Sequence, residues 1–123
     1  MQESYTLEKF NSGRTVVGDA ITELAKTDDR IWLLTPDIGW GCADFKAAYP
    51  GRFIDTGIAE QCVVGVSAGL ALEGSIPFII GMMPFMSMRD LEQVRTDLCY
   101  QNLPVRIIAN YSGLTGNGGS THY

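Results

Sequence analysis

The sequence predicts a three-layer αβα domain of the α/β class, with helices on both faces of a mostly parallel sheet. Helical patterns and short apolar runs alternate along the 123 residues. The apolar runs are continuous, which is typical of strands that are buried on both faces, as in parallel sheets. Together these two observations predict one layered domain over residues 1–123.

Four apolar runs are predicted as strands. The first is Ile31–Thr35, and a Pro-Asp-Ile-Gly loop follows it. The other three cover residues 52–56, 76–81 and 105–110, and each is bounded by Pro, Gly or Asn. Runs of this length and composition, separated by helical patterns, indicate βαβ units.

Helical periodicity predicts four helices, over residues 12–28, 42–49, 59–74 and 87–102. The third carries Gly65 and Gly69, and such small residues let another backbone approach closely. This helix is therefore predicted to be covered on several sides. The segment around Phe85 and the Gly-rich tail after Asn110 are predicted as loops.

The composition excludes several classes of partner. Hydrophobic residues make up 46% of the chain and charged residues 19%, which predicts a well-packed core. A net charge of −5 argues against nucleic acid and anionic membranes as partners. No membrane span or signal peptide is apparent, so a cytoplasmic location is expected. The 3 cysteines have no metal-ligand spacing and are predicted to be reduced thiols that fill small spaces.

The polar residues that stand out lie where the predicted strands end. In open α/β sheets, ligands bind beyond the carboxyl ends of the strands. Four segments are expected at that edge: the loop with Asp37, the turn into Glu60, the segment around Phe85 and the tail with His122. This clustering is the first indication of a ligand site.

Each of these residues admits a structural and a functional interpretation. Glu60 is either an acid favoured by the positive end of a helix, worth about 0.3–1 kcal/mol, or a sheltered carboxylate that bonds a ring nitrogen. Phe85, in a Met-rich segment, is either a core residue or part of a slot for a flat heterocycle. His122 is either a solvated loop residue or a proton carrier that faces a substrate.

The order of four segments resembles the pyrimidine-binding domain of transketolase-like thiamine diphosphate enzymes. The segments are Asp-Ile-Gly after the first strand, FIDTGIAEQCVVGVSAGLAL, PFMSMRDLEQVRTD and VRIIANYSGLTGNGGSTHY. The Gly-Ile-Ala-Glu-Gln motif before a helix of small residues is specific to this superfamily. The resemblance runs from about Thr15 to the last residue and is strongest to the C-terminal subunit of split bacterial transketolases.

The resemblance implies roles for particular residues. Glu60 corresponds to the glutamate that bonds the N1′ nitrogen of the cofactor's aminopyrimidine, and His122 to a substrate-channel histidine, so both are expected to be catalytic. Phe85 corresponds to the ring that stacks on the aminopyrimidine. The other residues implied at the cofactor are Asp37, Ile38, Ile58, Met82 and Met88, with Ile38 as an apolar wedge.

Four positions depart from the family's pattern. Met82 and Met88 stand where members often have aromatic residues around the pyrimidine. Asn110 stands where longer enzymes have a substrate-facing histidine, and Gly118 where many transketolases have an aspartate. Cofactor binding is still expected with these changes. The identity of the sugar substrate no longer follows from the resemblance, and the preferred sugar or phosphate could differ from the usual one.

The chain lacks the family's motif for the diphosphate and its Mg²⁺, because the Gly-Asp-Ala at Gly18 lies in a predicted helix and has no second glycine. The resemblance therefore implies that thiamine diphosphate is shared with a diphosphate-binding transketolase subunit, which binds the Mg²⁺. No metal ligand is expected in this chain. The implied assembly is a homodimer or heterotetramer, and the domain is expected to be incomplete at its C-terminus.

The implied activity is the transfer of a two-carbon ketol unit from a ketose phosphate to an aldose phosphate, a reaction of the pentose phosphate pathway. Three alternatives remain open on the residues alone. The chain could be part of a deoxyxylulose-phosphate synthase-like enzyme or a β-like subunit of a 2-oxoacid dehydrogenase. It could also be a non-catalytic module that mediates subunit assembly through an open sheet edge.

Overall fold

The computed structural model describes residues 13–39, 41–113 and 119–122. Its sheet has four parallel strands in the order β2-β1-β3-β4. The strands are β1 (Ile31–Thr35), β2 (Phe53–Asp55), β3 (Ile76–Met82) and β4 (Arg106–Asn110). The four predicted strands and the parallel sheet are confirmed.

Helices precede, connect and follow these strands. They are α1 (Gly13–Leu24), α2 (Ala43–Ala48), α3 (Glu60–Leu72), α4 (Met83–Met88) and α5 (Leu91–Gln93), and α5 continues as a π-helix over Val94–Cys99. Short 3-10 turns cover Pro50–Arg52 and Ser120–His122. Within the described ranges, every helix is too short or too polar to span a membrane.

The sheet has an apolar layer on each face, because successive residues of a strand point to opposite sides. On one face, Leu33 and Ile80 contact Phe45 of α2 and residues of α1. On the other face, Leu34 and Ile79 contact α3, α4 and the π-helix. This arrangement confirms the predicted three-layer αβα architecture.

The region after β3 differs from its prediction. Phe85 lies on a helix and not in a loop, because Pro84 occupies the first turn of α4, where a missing N–H disrupts no helical hydrogen bond. The single helix predicted over 87–102 is interrupted at Asp90, whose φ of −110° and ψ of 15° leave the helical region. Helical periodicity continues across this interruption, so the sequence pattern did not reveal it.

Helix α3 is covered on one side only by the part of the chain that the structure describes. Val63, Val64 and Ala68 are buried against the sheet. Gly65 and Gly69 are exposed, and a Cβ atom built on either one meets nothing within 4 Å. The prediction that this helix is covered on several sides is therefore wrong for these described residues.

The three cysteines are all free thiols, but only one of them fills a core position. Cys42 is buried, and burial raises the pKa of its thiol to about 11, with a smaller contribution from the negative charge of Asp55. Cys62 and Cys99 are exposed. The prediction of space-filling cysteines is thus confirmed for Cys42 and wrong for the other two.

Candidate functional site

The candidate site lies where the strand order changes direction. From β1 the chain passes to β2 on one side of the sheet and then crosses to β3 on the other side of β1. Segments that leave the carboxyl ends of β1 and β3 diverge at such a point and leave a crevice. A cavity of about 150 Å³ occupies this crevice. Its lining residues are Pro36, Asp37, Ile38, Ile58, Glu60, Met82, Phe85 and His122.

The structure brings together seven of the nine residues that the sequence assigned to the site, since all but Met88 and Asn110 line this cavity. Met88 is 76% exposed and lines a second, neighbouring cavity of about 650 Å³. Asn110 ends β4 beside Met82 and lines neither cavity. Gly118 lies outside the described residues. The roles of all these residues remain predictions.

Two side chains that the sequence did not single out hold the loop after β1. Asp55 accepts hydrogen bonds at Oδ1 from the backbone N–H of Asp37 and from that of Gly57, both at 3.0 Å. Thr35 Oγ1 accepts one from the N–H of Ile38, also at 3.0 Å. An Asp followed two residues later by Gly is typical of a turn, and this signal was available in the sequence. These bonds tie the β1 loop to the turn into α3.

Glu60 begins α3, and only 3% of its side chain is exposed. Its Oε2 accepts a hydrogen bond from Nη1 of Arg89 at 2.6 Å. Within the described ranges, Oε1 has no hydrogen-bond partner, and Glu60 lines the smaller cavity. The carboxylate is therefore both an acid at the positive end of a helix and a sheltered group at a cavity wall.

Phe85 connects the remaining parts of the site. The guanidinium carbon of Arg89 lies 4.2 Å from the centroid of the Phe85 ring. On another side, the His122 ring meets Phe85 edge-on, with centroids 5.1 Å apart and planes at 76°. A continuous line of contacts thus runs from Glu60 through Arg89 and Phe85 to His122.

Arg89 is the principal residue of this line that sequence reasoning missed. It lies four residues after Phe85, a spacing that places two side chains on the same side of a helix. A single cation in a Met-rich apolar segment was the available signal. The prediction of a loop around Phe85 concealed it, because the i, i+4 relation holds only in a helix.

Asp90 is a second buried acid beside the site. It is 0% exposed, and neither carboxylate oxygen has a hydrogen-bond partner among the described residues. Burial raises the pKa of Asp90 to about 6. The backbone N–H of Asp90 itself opposes this shift, the charge of Glu60 adds to it and the charge of Arg89 opposes it. The ionised form of Asp90 therefore destabilises the folded chain.

We expect Asp90→Asn to stabilise the chain near neutral pH and to have little effect in acid. Below the ordinary carboxyl pKa of 3.8 the side chain is protonated in both states. Between pH 3.8 and about 6, the Asp90 carboxyl is ionised in the unfolded chain but still protonated in the folded chain. The free energy of unfolding of the wild type therefore falls as pH rises through this range, by about 2–3 kcal/mol in total. The neutral amide does not carry this penalty.

Thermal unfolding followed by circular dichroism from pH 4 to pH 8 tests this prediction. The control is Asp29→Asn, because the Asp29 side chain is fully exposed at 102% of its reference area. A gain from Asp90→Asn that is the same at every pH would contradict the explanation by ionisation.

The described side chains suit proton exchange with a flat organic ring. A sheltered carboxylate, an aromatic ring and apolar side chains line one small cavity. Across residues 13–39, 41–113 and 119–122, no group of three or more His, Cys, Asp or Glu side chains is placed to hold a metal ion. What this part of the chain offers at the cavity is therefore one sheltered carboxylate, Glu60, and a shaped apolar surface, with the exposed Asp37 at its edge.

Comparisons with known proteins identify similar chains. A family model described as "Transketolase, pyrimidine binding domain" matches residues 11–123. The 1-deoxy-D-xylulose-5-phosphate synthase of Clostridium perfringens strain SM101 is 44% identical over 108 residues, which are 85% of this chain and 17% of that protein. The corresponding synthase of Thermus thermophilus is 37% identical over 121 residues, 94% of this chain and 20% of that protein.

A solved structure described as "Split gene transketolase, inactive beta4 tetramer" matches with a TM-score of 0.72 and 39% identity. The match covers 78% of this chain and 33% of that chain. The chain thus spans about a fifth of the length of the curated relatives it matches.

Proposed function

This chain belongs to the family of transketolase pyrimidine-binding domains, and on that premise we propose that it supplies the aminopyrimidine half of a thiamine diphosphate site in a transketolase-like enzyme. Members of this family use thiamine diphosphate. The observation that carries the proposal is the cavity at the strand-order reversal, which the sheltered Glu60 and the ring of Phe85 both line.

The residues present fit the aminopyrimidine. Glu60 has one oxygen, Oε1, without a hydrogen-bond partner among the described residues, and this oxygen suits a ring nitrogen at the cavity. Phe85, Ile58 and Met82 supply apolar surface for a flat ring, and Ile38 supplies more on the β1 side. When bound, thiamine diphosphate supplies the carbanion chemistry of two-carbon transfer.

The proposed contribution of the protein itself is one proton and a shaped, largely apolar pocket. Glu60 holds or releases a proton at Oε1, and its burial keeps water from competing for that proton. We propose that His122, whose ring meets Phe85 edge-on at the far end of the contact line, faces the substrate. Thr121 Oγ1 lies 3.0 Å from its Nδ1 and orients that ring.

We propose that a diphosphate-binding transketolase subunit supplies the remainder of the site, including the Mg²⁺. The chain carries no recognisable diphosphate motif, and the solved relative is described as an inactive tetramer made of β subunits. An incomplete site in each β subunit is consistent with that description. The complete enzyme is proposed as a homodimer or a heterotetramer.

Two reactions fit this site, and they differ in the two-carbon donor. Transketolase chemistry moves a ketol unit from a ketose phosphate to an aldose phosphate, and the solved relative favours it. The curated relatives favour a deoxyxylulose-phosphate synthase-like reaction. A 1-deoxy sugar carries a methyl group where the ketol unit carries a hydroxymethyl group, so that reaction needs an acetyl donor such as a 2-oxoacid that loses CO₂.

Isothermal calorimetry with thiamine diphosphate and Mg²⁺, with and without the diphosphate-binding partner, tests the proposal. We expect saturable binding only in the presence of the partner, because this chain contributes one half of the site. Turnover of the loaded complex with a ketose phosphate or with pyruvate then separates the two reactions. Absence of binding with the partner present would favour the non-catalytic assembly module, and acyl transfer to a lipoyl carrier would favour the dehydrogenase subunit.

A further inference from the structure

We propose that Arg89 is a positioning residue for the cofactor site: it fixes Glu60 and Phe85 together from outside the small cavity. The inference rests on the proposed function, since it concerns how the chain prepares Glu60 and Phe85 for an aminopyrimidine. Arg89 is one residue that contacts both of these side chains, and the sequence pattern placed it within a continuous helix over residues 87–102.

The contacts of Arg89 divide the roles of the two Glu60 oxygens. Nη1 donates to Oε2 at 2.6 Å, which leaves Oε1 for the cavity. Arg89 lines the larger cavity of about 650 Å³ and is absent from the lining of the smaller one. It therefore holds the carboxylate from behind and does not fill the space where a ring would lie.

The same guanidinium also supports Phe85. Its central carbon lies 4.2 Å from the ring centroid, a typical distance for stacking of a cation on an aromatic face. The backbone N–H of Arg89 donates to the carbonyl of Phe85 at 2.9 Å, so the last turn of α4 fixes the spacing between the two side chains. Movement of Phe85 is thus coupled to the orientation of Glu60.

Arginine suits this position better than lysine. A planar guanidinium donates in its plane while its face stacks on a ring, whereas an ammonium group makes point contacts and is more strongly hydrated. With 43% of its side chain exposed, Arg89 reaches solvent through the larger cavity while its partner Glu60 remains buried.

Arg89 is also a cation that lies near two buried acids of the site. Two acids lie near it, Glu60 at 3% exposure and Asp90 at 0% exposure, and they repel each other. Arg89 is adjacent to both and offsets that repulsion. Removal of Arg89 would leave the buried charge of Glu60 uncompensated. The cost of such an unpaired buried charge is larger than the net contribution of the ion pair itself.

The test is calorimetric affinity for thiamine diphosphate with Mg²⁺ in the complex with the diphosphate-binding partner. We expect Arg89→Met to weaken binding by about 10- to 100-fold, because a charge-assisted hydrogen bond is lost while the apolar stem is kept. Arg89→Lys should recover part of that loss, since it retains the cation without the planar stack. In a Glu60→Gln background, Arg89→Met should change the affinity by less than about 3-fold, because the two residues act as a unit.

The matched control is Arg95→Met, because Arg95 is 69% exposed and pairs with Glu92 on the surface of the next helix. We expect its affinity to stay within about 3-fold of wild type. Equal losses for Arg89→Met with Glu or Gln at position 60 would overturn the positioning role, as would an affinity unchanged by Arg89→Met when Glu60→Gln reduces it. Failure of the wild-type complex to bind overturns the proposed function, and the role of Arg89 with it.

Discussion

Replacement of Glu60 by Ala should lower the cofactor-dependent turnover of the assembled enzyme by about 10²–10⁴-fold, the usual contribution of a positioned proton-transfer group. Glu60 is the one buried carboxylate of the described chain that lines the small cavity, and its Oε1, which has no hydrogen-bond partner in that part of the chain, is the proposed proton site. No other described acid occupies its place, because Asp37, the second carboxylate at this cavity, is exposed to solvent.

Steady-state turnover at saturating cofactor, together with calorimetric affinity, measures this effect. The control is Glu73→Ala, which removes an exposed carboxylate just beyond the opposite end of the same helix and should leave turnover unchanged. Size-exclusion chromatography of the complex separates a catalytic loss from a failure to assemble. Wild-type turnover of Glu60→Ala in an intact complex would remove the carboxylate from the mechanism and support the assembly-module alternative.

Gly18→Ala should destabilise the fold by about 3 kcal/mol or more, which is at the upper end for overpacking. A Cβ atom at Gly18 would lie 1.7 Å from the carbonyl oxygen of Gly41 and 2.8 Å from its carbonyl carbon. Relief requires backbone movement, because no flexible side chain is there to rotate away. The displaced chain precedes Cys42 and Phe45, which belong to the core on that face of the sheet.

Gly65→Ala is the matched control for this substitution, since it changes another helical glycine of the same chain. A Cβ at Gly65 meets nothing within 4 Å, so the expected effect is a gain of about 0.5–1 kcal/mol from helix propensity. Urea unfolding of both variants gives the two free energies on one scale. A Gly18→Ala variant as stable as wild type would show that α1 and the Gly41 backbone separate without cost.

The strands and the sheet edge at which their following loops meet were accessible to sequence reasoning because their signals are local, whereas the order of the strands came only from the structure. A continuous apolar run such as Ile31–Thr35 indicates a strand buried on both faces wherever it lies. Parallel strands align their carboxyl ends, so the segments with Asp37, Glu60 and Phe85 were expected to meet, and they line one cavity. That part of the site follows from chain order and period alone.

The placement of Met88 and Asn110 was not accessible in that way. Both lie in the right segments, but the end of α4 leaves Met88 76% exposed at the larger cavity, and Asn110 ends β4 away from both cavities. Position along a segment does not determine which wall a side chain faces. That depends on where the helix ends and on how the strand is registered against its neighbour.

The apolar pattern of this chain was thus sufficient for the αβα layers, the parallel sheet and the edge at which a ligand would bind. That pattern did not reveal the partner of Glu60, because Arg89 is 29 residues distant and reaches the carboxylate only through the end of α4. It also did not reveal the burial of Asp90, which interrupts a helix that periodicity alone continues to residue 102. Ion pairs and desolvation depend on distances between elements packed against one another, and a one-dimensional pattern does not contain those distances.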